Sequence, residues 1–324
     1  MWLAAHLFYS GNLEQLISQA ILPFIEKARK EKLYRQFFFI RYWENGPHIR
    51  LRFNGNEKRL TQQLKPLLIK YFNNYFKSNP SIREEPLWIK ELSEKDKWYP
   101  NNTIQFIEYK PEISRYGGEA GIVIAEKQFE LSSKTVMMAI AEQDQWDYDS
   151  AMGIAIELHL AFAYSVGMKK KEMKIFFQVF ANSWLPITFN NYPGMPEEEF
   201  NKNQQEVLEM FKQSFDQQKE ILISFQKELL KSFREKKLIQ NKLLKPWMNG
   251  NMIIAENLKA LQTKKELFYE TPLKLDKAYG IPTKNVLLWP ILQSYIHMTN
   301  NRLGIENKDE AFLGYIICQG LKTK

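Results

Sequence analysis

The stretch Phe37-Phe38-Phe39-Ile40-Arg41-Tyr42, then Trp43-Glu44-Asn45-Gly46-Pro47, then His48-Ile49-Arg50-Leu51-Arg52-Phe53 leaves the backbone few choices. Aromatic and β-branched residues favour extended chain on both sides, and Asn-Gly-Pro between them marks a tight turn. A β-hairpin is therefore predicted. Side chains alternate across a strand, so His48, Arg50 and Arg52 share one face while Ile49, Leu51 and Phe53 share the other. Two guanidiniums on one face, with or without an imidazolium beside them, repel each other. A chain that places them there has an anion to offer them.

The hairpin sits inside a regular order of elements. Trp2 to Tyr9 reads as a strand, and Leu13 to Lys32 carries apolar residues at helical spacing. Leu60 to Phe76 repeats the helical pattern, and Thr103 to Tyr109 alternates as a strand. The predicted class is α+β, with an antiparallel sheet module of β-α-β-β-α-β (ferredoxin-like) order over residues 1–118, interrupted by an insertion at 78–102 that carries Trp88, Trp98 and Tyr99. Residues 119–324 form a mainly helical half expected to share one core with the module. Its predicted helices are Glu119 to Leu131, Ser133 to Gln145, Asp149 to Val166, Lys170 to Asn182, Pro196 to Phe233, Lys242 to Lys259 and Thr283 to Arg302. Ser132-Ser133, Asp149-Ser150 and Thr283 are the expected caps. The Lys- and Gln-rich run from Asn201 to Lys242 reads as a long, solvated helical pair.

Composition removes several function classes. A single cysteine, Cys318, allows neither an internal disulfide nor a thiolate metal cluster. The histidines His6, His48, His159 and His297 are far apart, without ligand spacing for a metal. The N-terminus lacks the basic and apolar regions of a signal peptide, and no stretch is long and apolar enough for a membrane span. A cytoplasmic, metal-free protein is expected. The formal charge of +8 is spread along the chain and leaves acidic peptides, small anions and nucleic acid admissible as partners.

Two further clusters carry chemistry. Glu108-Tyr109-Lys110-Pro111-Glu112-Ile113-Ser114-Arg115-Tyr116-Gly117-Gly118 follows the last predicted strand. Glu112 and Arg115 fit on one local turn, and Gly117-Gly118 permits backbone conformations with positive φ. The same residues would also serve as a salt-bridged turn closed by glycines. The other cluster, Ser294-Tyr295-Ile296-His297-Met298-Thr299-Asn300-Asn301-Arg302-Leu303-Gly304-Ile305, ends an apolar helix on which His297 can equally be a packed core residue.

Taken in this order, the three clusters resemble the small C-terminal domain of lantibiotic dehydratases, a family that includes free-standing thiopeptide-type bacteriocin biosynthesis proteins. The resemblance runs through Phe38 to Tyr42 with Pro47 to Phe53, through Tyr109 to Gly118, and through His297-Met298 with Asn301-Arg302-Leu303. It implies β-elimination of glutamate from glutamylated Ser or Thr of a precursor peptide, leaving dehydroalanine or dehydrobutyrine. The family's elimination residues fall on Arg50, Arg52, Glu112, Arg115 and His297, all of the expected type. His48 and Tyr116 flank them and join Arg50 and Arg52 as the substrate-binding candidates; His297, Arg115 and Glu112 are the catalytic candidates. The resemblance implies no metal and no organic cofactor. It also places a lengthening of about twenty residues, judged against ordinary loop lengths, before Glu112, where it would remodel the substrate entrance.

The residue types suit that chemistry. Arginine forks bind carboxylates in bidentate fashion and stay charged at any working pH, so they stabilise a carboxylate as it departs. Glu112 can pair with the glutamyl ammonium or fix Arg115, and His297 is suited to be the base for the Cα proton. Two other functions fit the same family. One is the pyridine-forming aza-[4+2] cyclase of thiopeptide pathways, which handles no glutamate. The other is a non-catalytic peptide-binding subunit of a split dehydratase. For elimination, the expected partners are the precursor peptide and a separate tRNA-dependent glutamylating subunit. Homodimerisation is compatible with this scheme; direct nucleic-acid or membrane binding is not expected.

Overall fold

The computed structural model describes residues 1–85, 89, 93, 97–235, 237, 241–268 and 288–322. They form two compact units, one of residues 1–111 and 129–146, the other of residues 112–128 and 147–324. One helix, Glu119–Ala141 (α3), contributes to both units. Trp88 and much of the insertion expected at 78–102 lie outside the described residues.

The first unit is built on a four-stranded sheet in the order β2-β3-β1-β4, with β1 at Trp2–Phe8, β2 at Gln36–Tyr42, β3 at His48–Asn54 and β4 at Thr103–Phe106. Every neighbouring pair is antiparallel. The predicted hairpin is present, with Phe38 opposite Arg52 and Ile40 opposite Arg50. Asn45 and Gly46 both adopt positive φ in its turn. Strand β4 is shorter than predicted and ends before Ile107.

Two helices, α1 (residues 13–30) and α2 (57–78), cover the face that carries Phe53, where Phe24 of α1 meets Phe53 and Phe72 of α2. They share one construction. Asn12 and Asn56 cap the first turns by accepting from the Gln15 and Arg59 amides. A π-helical stretch then precedes a proline, at Leu16–Ile21 before Pro23 and at Leu60–Leu64 before Pro66. A proline ring lacks the amide donor and collides with the carbonyl four residues back, so a widened turn there relieves the clash.

Helix α3 is continuous where two helices were predicted. Ser132 and Ser133 are buried inside it and cap nothing. Ser133 Oγ instead accepts the amide of Phe39 at 3.1 Å, satisfying a donor on the outer edge of β2.

The second unit is helical: α4 at Tyr148–Ser165, α5 at Lys170–Thr188, α6 at Glu197–Arg234, α7 at Leu244–Thr263, α8 at Trp289–Leu303 and α9 at Glu310–Gly320. The cap of α4 is Asp147, whose carboxylate accepts from Ser150, rather than Asp149-Ser150. Thr283 lies outside the described residues. Helix α4 buries Leu158 to Ala163 on all sides and is the centre of the unit. Trp247 Nε1 of α7 donates to Leu158 O, and α9 lies so close to α5 that a Cβ on Gly314 would come within 3.0 Å of Ala181 N. The run predicted as a solvated helical pair is mostly one 38-residue helix, α6, whose buried residues Phe211, Phe215, Gln226, Leu229 and Phe233 follow helical spacing. Among the described residues no helix is long and apolar enough to cross a membrane.

Candidate functional site

Each unit gathers part of the predicted residue set. In the first unit, His48, Arg50 and Arg52 project from the sheet face opposite the helices, as alternation predicted. Cross-strand pairing adds His6, which lies opposite Arg50 on β1. The imidazoles of His6 and His48 stack with centroids 5.0 Å apart.

His48 is not a third cation. Its Nδ1 lies 2.7 Å from the Gly46 carbonyl and its Nε2 accepts from Arg50 Nε at 3.0 Å. Those two bonds fix the neutral tautomer with the proton on Nδ1. Burial pushes the His48 pKa down to about 4, the Gly46 contact partly opposing it. His6 is driven down to about 2, first by burial and then by Arg50, His48 and Arg52.

The two guanidiniums rest on aromatic faces. Arg50 lies 3.4 Å from the Tyr42 ring centre and reaches Glu44 at 3.4 Å, whereas Arg52 lies 4.2 Å from that of Tyr109. The result is a pair of held cations supported by neutral imidazoles.

In the second unit, the turn Ser114–Tyr116 positions Arg115. Gly117 and Gly118 follow it at φ 87° and 92°, conformations that favour glycine. Arg115 Nη1 donates to Glu112 at 3.1 Å. Arg115 Nε donates to Ser294 Oγ of α8 at 3.2 Å, and Tyr116 stacks on Tyr295 of the same helix at 5.9 Å. Tyr116 is buried, as is His48.

His297 lies three residues beyond Ser294 on α8, hence on the same helix face. It is partly exposed, with Trp184 of α5 stacked on its ring at 4.6 Å. Its Nδ1 faces Glu310 Oε1 at 2.6 Å. Glu310 is fully buried, and that burial raises its pKa against the opposing pull of His297, Asn300 and Arg115.

The second Glu310 oxygen accepts from Asn300 Nδ2 at 3.0 Å, and Asn300 Oδ1 lies 2.7 Å from His159 Nε2. His159 is held down to about 4 by burial, the Asn300 contact partly opposing it. Sequence reasoning missed Glu310, placed Ser294 in the His297 cluster without a role, and gave His6 and His159 none. For His6 a signal existed in the alternation of Trp2, Ala4, His6 and Phe8. For Glu310, inside a polar run next to Asp309, there was none. No group of three or more His, Cys, Asp and Glu among the described residues is arranged to hold a metal.

Over 140 residues the chain is 33% identical to the subtilin biosynthesis protein SpaB of Bacillus subtilis, a match spanning 43% of this chain and 12% of SpaB. Its fold is similar to that of the pyridine synthase TbtD from thiomuracin biosynthesis, with a TM-score of 0.72, 16% identity and coverage of 98% of this chain and 97% of TbtD. TsrL gives a TM-score of 0.67 at 15% identity, over 99% of this chain and 94% of TsrL. The tRNA-dependent lantibiotic dehydratase MibB from Microbispora sp. 107891 gives 0.61 at 16% identity, over 99% of this chain and 28% of MibB. Residues 2–320 match the lantibiotic biosynthesis dehydratase C-terminal family, and the chain belongs to it.

Proposed function

We propose that this chain removes glutamate from glutamylated Ser or Thr of a precursor peptide by β-elimination, leaving dehydroalanine or dehydrobutyrine. The observation that carries the proposal is the face of α8, where Ser294 holds the Arg115–Glu112 pair and His297 is backed by Glu310. That face combines a carboxylate binder with an oriented imidazole, the two groups an elimination of this kind needs.

In the reaction, Nε2 of His297 takes the Cα proton. The electron pair of the Cα–H bond becomes the second bond between Cα and Cβ, and the Cβ–O bond breaks. Glutamate departs as a carboxylate with the electron pair of the broken Cβ–O bond. Charge grows on the departing oxygen, so a guanidinium aimed at it binds the transition state more strongly than the ester and lowers the barrier. Arg115 is assigned that role, with Glu112 and Ser294 fixing its direction. Arg50 and Arg52 serve anion recognition on the first unit. The β-α-β-β-α-β element order and the β2-β3-β1-β4 sheet support a ferredoxin-like platform for them. Elimination requires glutamylated peptide, so the precursor and a separate glutamylating subunit are the partners proposed.

The likeness to TbtD over nearly its full length keeps pyridine formation as the second candidate. Joining two dehydroalanines releases no glutamate and gives the Arg115–Glu112 pair nothing to bind, which favours elimination. Mass spectrometry separates the two activities when the protein receives, in parallel, a Ser-glutamyl peptide and a peptide carrying two dehydroalanines. Loss of glutamate from the first supports elimination. Conversion of the second alone replaces it with cyclisation.

A further inference from the structure

Four side chains from three helices of the second unit form one hydrogen-bonded line, His159 of α4, Asn300 and His297 of α8, and Glu310 of α9. We infer that Glu310, Asn300 and His159 are positioning residues that lock His297 into the tautomer with its proton on Nδ1, leaving the Nε2 lone pair free to act as a base. The inference deepens the elimination proposal and rests on it for the identity of the reaction alone.

The directions of the bonds carry the inference. An ionised Glu310 can only accept, so both its partners donate to it: His297 through Nδ1–H and Asn300 through its NH2 group. With the NH2 group committed, Asn300 presents Oδ1 to His159, which must then donate from Nε2. Burial keeps His159 neutral, and a neutral ring with its proton on Nε2 meets that requirement. Glu310, Asn300 and His159 are all buried, so water does not compete for these bonds. Among the described residues nothing hydrogen-bonds Nε2 of His297, and Trp184 holds the ring in plane from the side.

The line orients and does not conduct. An amide cannot pass a proton from Glu310 to His159, so a proton taken by Nε2 leaves by the route it came. Burial pushes the Glu310 pKa up, and the bonds from His297 and Asn300 together with Arg115 of the Ser114–Tyr116 turn oppose that rise by favouring its ionised form.

Replacing Glu310 with glutamine preserves shape and reverses the logic. Its NH2 group would face that of Asn300 or Nδ1–H of His297, donor against donor, and one link must break.

The test is 15N NMR of histidine-labelled full-length protein near pH 8, with the ring resonances assigned by single His→Gln variants at His6, His48, His159 and His297. The expected spectrum shows His297 protonated on Nδ1 in the wild type and a mixture of tautomers in Glu310→Gln. On a Ser-glutamyl peptide, Glu310→Gln should lower kcat about a hundredfold with little change in KM, and Glu310→Asp should recover part of the loss.

A wild-type His297 protonated on Nε2 would overturn the inference even if no variant folded, as would a Glu310→Gln spectrum identical to the wild type. The Nδ1–H tautomer in a wild-type protein inert towards the glutamyl peptide would uphold the positioning role and reject elimination instead.

Discussion

Arg50 Nε donates to His48 Nε2 at 3.0 Å, while the other nitrogen of the same imidazole faces the Gly46 carbonyl. The hairpin turn thereby sets the tautomer of His48, and His48 sets the direction of Arg50. His48→Phe should keep the stacking and lose both bonds. Leaving the buried side of Arg50 without its acceptor should cost about 1–3 kcal/mol in urea unfolding. It should also weaken binding of the glutamyl peptide, read by fluorescence titration.

The buried imidazoles make the fold acid-sensitive. His48 and His159 are held near 4 and His6 near 2, against an ordinary 6.5. Above pH 6.5 both folded and unfolded chains keep these rings neutral. Below it the unfolded chain takes up protons that the folded chain refuses, so stability falls as pH drops from 6.5 towards 4. Each of His48 and His159 accounts for roughly 3 kcal/mol over that window. Glu310 acts in the opposite sense, because its raised pKa gives a contribution that is present at low pH and lost as pH rises through it. Glu157, also raised by burial, acts in the same sense as Glu310, and the three depressed histidines outweigh these two carboxylates to leave a net loss on acidification. Urea midpoints should decline steadily from pH 7 to pH 4.5, and His159→Gln should flatten the decline.

Glu112 and Arg115 are both partly exposed, so their ion pair contributes little to stability, at most about 1 kcal/mol. Its value is in direction. Glu112→Gln should leave the melting temperature nearly unchanged and lower kcat/KM for elimination at least tenfold. Arg115→Lys should not restore activity lost in Arg115→Ala. An ammonium is a point charge and cannot hold Glu112 and Ser294 from two edges of one plane.

A Cβ on Gly121 would collide with the Tyr116 carbonyl, the end of the turn that carries Arg115. Gly121→Ala should therefore destabilise the protein by about 1–3 kcal/mol and reduce elimination beyond the fraction unfolded. Circular dichroism and steady-state rates on the same preparation check both parts.

Local patterns in the chain were enough to predict the hairpin, both module helices and most of the helical half. Alternation placed Arg50 and Arg52 on one face because strand geometry leaves no other arrangement. Positive φ at Gly117 and Gly118 could be expected for the same kind of local reason. What could not be read depends on distance along the chain. Ser132-Ser133 looks like a helix break until Phe39, 94 residues away, supplies the donor that Ser133 accepts. His159 and Asn300 are 141 residues apart, and Glu310 resembles its solvated neighbours until burial is known. His48 seemed a candidate cation because the carbonyl and guanidinium that neutralise it only converge once the turn has formed.

Glutamate elimination is tested most directly by incubating a Ser-glutamyl peptide with the purified protein and with its His297→Asn variant, then weighing the products. Wild-type protein is predicted to release free glutamate and leave a dehydroalanine peptide, while His297→Asn leaves the ester in place. An ester that survives the wild type intact, or is eliminated equally fast by the variant, would contradict the account.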